Sequence, residues 1–177
     1  GYVLTALNYL DWRRGAERYI RPLQVKGEAS VLTDDTYLKA LNTLKSKYAS
    51  EPICAEVYLA QARYAIEKQQ QVNALQLCDE AIRLYPGYDR INALKNLREE
   101  ILAPYLNVYA ADQAFPNEEI ELRASHKNLD GFTVRIYQAK KLIKEQHYSV
   151  IRPEDYRTQD TAFTFKAPEL GAYVMRI

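Results

Sequence analysis

The spacing of apolar residues along the chain changes once, near Pro104. Before this residue, apolar side chains recur every third or fourth position, which is the spacing of a helix with one buried face. After it, they recur every second position, as in antiparallel strands with one buried and one wet face. The pattern therefore predicts an α+β chain in two segregated parts, a helical region over 1–104 and a β region over 105–177.

The first part predicts helices joined by short connections, which place neighbouring helices antiparallel. Weaker patterns predict helices over 4–12 and 14–23. Stronger patterns predict a helix behind the capping residues Thr33 and Asp34, helices over 53–67 and 73–85, and a helix between Asp89 and Pro104. The predicted inward residues of these four helices are Tyr37, Leu41, Leu44, Tyr48, Cys54, Tyr58, Ala62, Ala65, Ala74, Cys78, Ala81, Ile82, Tyr85, Ile91, Leu94, Leu97 and Ile101.

An internal similarity at a spacing of 37 residues relates the helical patterns to one another, for example Tyr48 to Tyr85. A period of this size is typical of helical repeats. The stretch "ALQLCDEAIRLYP" also fits the second helix of a tetratricopeptide repeat, with small residues at Ala74 and Ala81, Cys78 where an aromatic residue is usual, and Pro86 after the helix. The sequence predicts a tetratricopeptide-like stack, and an ordinary stack of helical hairpins is the alternative.

The second part predicts six short strands separated by turn signals such as "KNLDG" and "APELG". "LNVYA" and "QHYSVI" predict two of them. The other four follow the alternating residues Ile120, Leu122 and Ala124; Phe132, Val134 and Ile136; Thr161, Phe163 and Phe165; and Tyr173, Met175 and Ile177. This series predicts an immunoglobulin-like sandwich. We expect it to be incomplete, with its seventh strand beyond Ile177.

Composition narrows the classes of function. The net charge of +1 carries no electrostatic signature of binding to nucleic acid or to an anionic membrane. No apolar run approaches the roughly 20 residues that span a bilayer. The chain begins with Gly rather than Met, and "AYVMRI" ends within a strand-like pattern. We therefore expect the sequence to be a fragment of a longer protein.

The sequence contains no catalytic, cofactor-binding or metal-binding motif. The two histidines, His126 and His147, lie on separate predicted strands without a Cys, Asp or Glu at ligand spacing, which argues against zinc. Cys54 and Cys78 are displaced by about 9 Å along the axis of the predicted hairpin, at 1.5 Å per residue, which is too far for a disulfide. We expect two free, buried thiols.

Several motifs carry a family resemblance. Residues 101–138, "ILAPYLNVYAADQAFPNEEIELRASHKNLDGFTVRIYQ", contain an entry segment at Pro116–Glu119, a turn at His126–Leu129 and an "RIY" strand at Arg135–Tyr137. "RPEDYRTQDTAFTFKAPELGAYVMRI" resembles a closing hairpin that carries Asp155, Tyr156, Pro168, Leu170, Gly171 and Tyr173. Together with the helical segment from Lys47 to Pro86, they resemble the N-terminal region of bacterial alpha-2-macroglobulin family proteins, particularly those of Bacteroidetes, over 45–177.

The resemblance implies a large exported protein of successive sandwich domains that traps or surveys proteases. It implies a place in the periplasm, or an anchor in the outer membrane as a lipoprotein. Thioester-bearing members of the family carry Cys-x-Glu-Gln. Here "CAEV" from Cys54 has Val57 at the Gln position, and "CDEA" from Cys78 fails likewise, so we expect no thioester in this fragment.

We therefore expect a non-catalytic interaction or scaffold fragment of such a protein, with a role in protease inhibition or surveillance. It needs no cofactor and binds no nucleic acid. Its expected partners are a protein, with a protease among the candidates, and the other macroglobulin-like domains of the same chain. The first alternative is a helical-repeat adaptor that binds a peptide or protein. The second is an accessory module of a carbohydrate-handling or hydrolytic enzyme.

Overall fold

The computed structural model describes residues 1–15, 33–110, 115, 117–166, 169 and 171–177. The chain forms two compact units, Gly1–Ile101 and Leu102–Ile177. The described helices come first and the described strands follow. The prediction of an α+β chain with segregated helices and antiparallel strands is confirmed.

Five helices lie in the described residues: α1 (Tyr2–Gly15), α2 (Asp34–Lys47), α3 (Cys54–Glu67), α4 (Gln71–Leu84) and α5 (Asn92–Leu102). Four of them correspond to the stronger predictions. The prediction of separate helices over 4–12 and 14–23 is wrong at their junction, because α1 continues through Arg14 to Gly15. "DWRRG" contains no proline or early glycine that would end α1 sooner. The rest of 14–23 lies outside the described residues.

The start of α2 shows how the sequence sets a helix boundary. Thr33 has an extended backbone, and its Oγ1 accepts a hydrogen bond of 3.2 Å from the backbone N–H of Thr36. Asp34 and Asp35 follow in the first turn, where negative charge is favourable, and Lys45 and Lys47 lie in the last turn. The predicted N-cap at Thr33 is confirmed.

The core of the helical unit lies around α3. Residues from α1, α2 and α3 form one buried cluster: Val3, Leu7, Leu10, Tyr37, Leu41, Leu44, Val57 and Tyr64. Between α3 and α4, the small residues Ala62, Ala74 and Ala81 are fully buried, which lets helices approach closely. Of the predicted inward residues, Tyr48, Ile82 and Leu97 are only half-buried.

The second unit contains the strands β1 (Tyr105–Ala110), β2 (Glu119–Lys127), β3 (Gly131–Gln138), β4 (Lys141–Ser149), β5 (Gln159–Lys166) and β6 (Tyr173–Arg176). They form two antiparallel three-stranded sheets, in the orders β1-β2-β5 and β4-β3-β6. The strand predicted from "QHYSVI" begins earlier and ends earlier than expected, because β4 starts at Lys141 and stops at Ser149.

One buried cluster joins side chains from both sheets: Leu122, Ala124, Phe132, Val134, Ile136, Phe163 and Phe165. Aromatic rings connect the sheets directly. The Tyr148 ring centroid of β4 lies 4.4 Å from that of Phe163 on β5, and the Phe132 centroid of β3 lies 5.9 Å from Phe163. The alternating residues therefore face a common core.

The connections of the β unit require unusual backbone at a few positions. A Cβ atom at Gly131 would lie 2.7 Å from the carbonyl oxygen of Tyr148, so only glycine allows this close pairing of β3 with β4. The β3–β4 hairpin turns through Ala139 and Lys140, both with positive φ, 44° and 69°. This conformation is costly for residues that carry a Cβ.

Candidate interaction site

The helical unit contains a groove between α1 and α3, which we call the α1–α3 groove. It has a volume of about 300 Å³, at the lower end of the size range of ligand sites in proteins. Its lining residues are Leu4, Leu7, Asn8, Asp11 and Arg14 of α1, Tyr37 of α2, Glu56, Leu59, Ala60, Arg63 and Tyr64 of α3, and Arg90 in the segment before α5.

Helical spacing explains how the sequence builds this groove. On α1, Leu7, Asp11 and Arg14 lie three or four positions apart, and on α3 the same spacing aligns Glu56, Ala60 and Arg63. Both faces thus carry charged residues beside small or apolar ones. The short side chain of Ala60 leaves space between the two faces. The groove is therefore both concave and charged.

At one end of the groove, Arg14 lies against two tyrosine rings. Its guanidinium carbon is 4.6 Å from the centroid of Tyr37 and 5.3 Å from that of Tyr64, and its Nη2 atom is 2.8 Å from a carboxylate oxygen of Glu67. The Tyr37 hydroxyl donates a 2.8 Å hydrogen bond to Asp11. Burial and this hydrogen bond raise the pKa of Tyr37, so the hydroxyl remains a donor.

At the other end, Glu56 is a buried carboxylate, with 6% of its surface exposed. Its Oε1 atom accepts a 2.9 Å hydrogen bond from the Tyr88 hydroxyl and lies 3.2 Å from Nη1 of Arg90. Burial, and then the hydrogen bond to Glu56, raise the pKa of Tyr88 to about 12. These contacts compensate for the burial of the charge.

A second groove, of about 250 Å³, is lined by residues of α2, α3 and α4 and by Gln70. Amide side chains dominate its polar lining. Gln61 donates a 2.7 Å hydrogen bond to Oδ1 of Asn42, and Asn73 donates a 3.4 Å hydrogen bond to Gln70. Because these amides bond largely to one another, the arrangement is explained by helix packing.

The residues singled out for chemistry in the sequence do not come together. His126 lies on β2, is buried, and its Nε2 atom is 3.0 Å from Oγ1 of Thr161. His147 lies on β4 in the other sheet, with Nδ1 3.2 Å from Oγ1 of Thr133. Within the described ranges, no group of three or more His, Cys, Asp or Glu side chains is placed to hold a metal ion.

Both cysteines are buried and neither forms a disulfide, which confirms the prediction of free, buried thiols. Burial raises the pKa of the Cys78 thiol to about 11 and also raises that of Cys54. The Cys54 thiol donates to the backbone carbonyl of Lys45 at 3.6 Å. At neutral pH both side chains are therefore protonated thiols, which are weak nucleophiles.

No protein-family model, curated protein or solved structure matches this chain. The geometry of its own residues therefore carries the functional argument. Among the helices of the described part, none has the length and apolar character needed to cross a membrane.

No motif in the sequence marks the residues of the α1–α3 groove as a site. Arg13 and Arg14 lie in a locally basic stretch, and charged positions of this kind on a helix usually form a solvated face. The available signal was the charged residue Glu56 between predicted inward residues of α3. A carboxylate next to Cys54, Val57 and Tyr58 is an unusual residue for a buried helix face.

Proposed function

We propose that this chain is a non-catalytic protein-interaction fragment and that its helical unit binds a protein partner in the α1–α3 groove. The observation that carries the proposal is the groove itself. Its charged side chains are held in place by contacts within the helical unit: Asp11 accepts a hydrogen bond from Tyr37, Arg14 lies against two tyrosine rings, and Glu56 accepts a hydrogen bond from Tyr88. Rigid, pre-positioned polar groups bind a partner with less loss of conformational entropy.

The properties of the nucleophilic side chains support a non-catalytic role. The Cys54 and Cys78 thiols are buried and protonated at neutral pH. His126 is held by Thr161 inside the β core, and His147 pairs with Thr133 at the surface. None of these groups has a neighbouring base and orienting carboxylate among its hydrogen bonds in the described part of the chain, as a catalytic nucleophile or base requires.

A photo-crosslinking experiment tests this proposal. A photoreactive amino acid is placed at Asn8, an exposed residue that lines the groove, or at Arg83, an exposed residue in the last turn of α4 that does not line the groove. Each variant is expressed in the native host and irradiated. We expect a discrete covalent protein adduct from position 8 and none from position 83. Equal adducts from both positions, or none from position 8, would contradict the proposal.

We propose as the wider context that the fragment belongs to an exported alpha-2-macroglobulin-like protein, with a tetratricopeptide-like stack followed by a macroglobulin-type sandwich. Two three-stranded sheets around one shared aromatic core support the sandwich. The pairing β1-β2-β5 opposite β3-β6 corresponds to strands A, B and E opposite C and F of an immunoglobulin-like domain. The buried Ala62, Ala74 and Ala81 support the repeat.

Cell fractionation tests this context separately from the groove. Antibodies against this chain should detect the protein in the periplasmic or outer-membrane fraction of its host, and the full-length protein should form complexes with added proteases. Detection only in the cytoplasmic fraction would contradict export. The adaptor alternative would then remain, because it depends on the groove and not on the cell compartment.

A further inference from the structure

We propose that the α1–α3 groove recognises an acidic partner segment, whose side-chain carboxylates bind Arg63 and Arg14. This inference rests on the proposed function and adds the chemistry of the partner. Three arginines and two carboxylates line the groove: Arg14, Arg63, Arg90, Asp11 and Glu56. These charges sum to only a small positive excess, so the preference of the groove for an anion or a cation depends on which of the charged groups already have partners.

The carboxylates of the groove are occupied by the protein itself. Asp11 accepts the hydrogen bond from Tyr37, at 2.8 Å. Glu56 accepts one hydrogen bond from Tyr88 and pairs with Arg90, and it is almost completely buried. A basic partner would have to compete with both contacts, and Glu56 is also shielded from solvent, so only the exposed Asp11 is within its reach. The groove therefore offers a cation a single accessible carboxylate that already has a partner.

The arginines retain unused donors. The Nη1 atom of Arg14 is buried and has no hydrogen-bond partner among the residues that the structure describes, although its Nη2 atom pairs with Glu67. Arg63 is exposed and makes no ion pair or hydrogen bond within the described ranges. A buried donor without a partner is unfavourable. Nη1 itself is shielded from solvent, so a partner carboxylate would meet first the exposed Arg63 and the exposed part of the Arg14 side chain, which is 26% accessible. A small shift of Arg14 towards such a carboxylate would also give Nη1 a partner.

The two arginines also lie on facing helices of the same groove. Arg14 is near the end of α1, held against the Tyr37 and Tyr64 rings, and Arg63 is on α3. Guanidinium groups bind carboxylates through charge-assisted, often bidentate hydrogen bonds. The apolar residues Leu4, Leu7 and Leu59 line the same groove, and they fit apolar side chains that alternate with the acidic ones.

Binding of a matched set of short fluorescent peptides tests the inference. The peptides share leucine and serine positions and differ only in carrying glutamate, glutamine or lysine at the remaining positions. Fluorescence anisotropy with the intact chain should show the glutamate peptide binding at least about tenfold more tightly than the glutamine peptide. The lysine peptide should bind more weakly still, and added salt should weaken the glutamate complex.

Two charge reversals provide the matched control. Arg63→Glu should weaken binding of the glutamate peptide by about tenfold or more, whereas Arg83→Glu should change it by less than about twofold. Both residues are exposed on helices, so neither variant should unfold the chain. Circular dichroism at 222 nm checks this for each variant.

Three results would overturn the inference. They are equal affinity for the glutamate and glutamine peptides, equal loss in both variants, and no binding of any peptide at millimolar concentration. The crosslink from position 8 distinguishes this failure from failure of the proposed function, because it leaves both arginines in place. A crosslinked partner without preference for glutamate rejects only the acidic chemistry, whereas absence of the crosslink rejects partner binding in the groove.

Discussion

The helical unit and the β unit bury aromatic side chains in different ways. In the described part of the helical unit the buried aromatic residues are tyrosines, and hydroxyls among them reach polar partners. Tyr37 bonds to Asp11 and Tyr85 to the carbonyl of Ala49, and the half-buried Tyr88 bonds to Glu56. In the β unit, Phe132, Phe163 and Phe165 are the buried aromatics, and they contact other rings.

This difference bears on where a partner can bind. A hydrophobic core that consists of rings excludes water and has no hydrogen bond to offer. Tyrosines at the edge of a core can instead hold charged side chains in fixed positions, through hydrogen bonds from their hydroxyls and through contacts with their rings. The α1–α3 groove is such a place, because Tyr37 and Tyr64 support Arg14, and Tyr88 supports Glu56. The comparison supports the proposal that a partner binds the helical unit.

Removal of a ring from the β core should produce the largest effect. Phe132→Ala leaves a cavity beside Tyr148 and Phe163, and we expect a loss of about 3–5 kcal/mol in the free energy of unfolding of the β unit. Nuclear magnetic resonance spectra should show the β resonances lost and the helical ones retained. Phe115→Ala, at a residue that is 80% exposed, is the control, and an equal loss there would contradict this assignment of the core.

Removal of one hydroxyl tests the polar contacts of the helical unit. Tyr37→Phe deletes the donor to Asp11 and keeps the ring, and hydrogen bonds to charged groups contribute about 1.5–3 kcal/mol. We expect urea denaturation, followed by circular dichroism at 222 nm, to show a loss of this size. Tyr2→Phe, on an exposed ring, should have no measurable effect. Equal midpoints for Tyr37→Phe and the unmodified protein would show that the hydroxyl contributes nothing.

A change in the β3–β4 hairpin should stabilise the β unit. Ala139 and Lys140 both have positive φ, which costs roughly 1–2 kcal/mol per residue with a Cβ. Replacement by Asn-Gly, the residues that favour this turn, should raise the free energy of unfolding of the β unit by about 1–2 kcal/mol. Thermal unfolding that reports on the β unit measures the gain. A lower melting temperature would mean that the turn differs from the one described.

Alkaline pH should lower the free energy of unfolding of the helical unit, and this is the smallest effect that we predict. Burial raises the pKa of Cys78 from 9.0 to about 11, and those of Tyr85 and Tyr88 from 10.0 to about 12. The folded state holds these protons more tightly than the unfolded state. The free energy of unfolding of the helical unit should therefore be unaffected by these groups below about pH 9 and fall between about pH 9 and 12.

Urea midpoints at pH 8, 10 and 11 check this expectation, with circular dichroism at 222 nm as the signal. Tyr88→Phe removes one of the titrating groups and should make the fall shallower. A midpoint that does not change up to pH 11 would contradict the burial of these side chains.

Much of the fold could be predicted from the sequence because local signals agreed with the packing. Thr33 caps α2 as its residue type suggests, and the alternation of Leu122 and Ala124 identifies the buried face of β2. His126 continues that alternation and is buried with them. The alternating pattern therefore predicts that His126 faces the core, although histidine is not a typical core residue.

Other elements lacked such a signal. The first part of β4 carries Leu142 and Ile143 side by side, both exposed, on a strand at the edge of its sheet. An edge strand without a buried face shows no alternation. The α1–α3 groove depends on two helices separated by some forty residues of sequence. The sequence around Arg14 or Arg63 does not show that the two residues line one groove, because the groove forms only when α1 and α3 pack together.

Hydrogen exchange on the complex with the crosslinked partner tests the central claim most directly. The partner should slow amide exchange in α1 and α3, along residues 2–15 and 54–67, and leave β2–β5 unchanged. That result would assign partner binding to the helical unit, as the comparison of the two units predicts. Protection confined to 119–166, with α1 and α3 unaffected, would contradict the account and place the binding surface on the β unit.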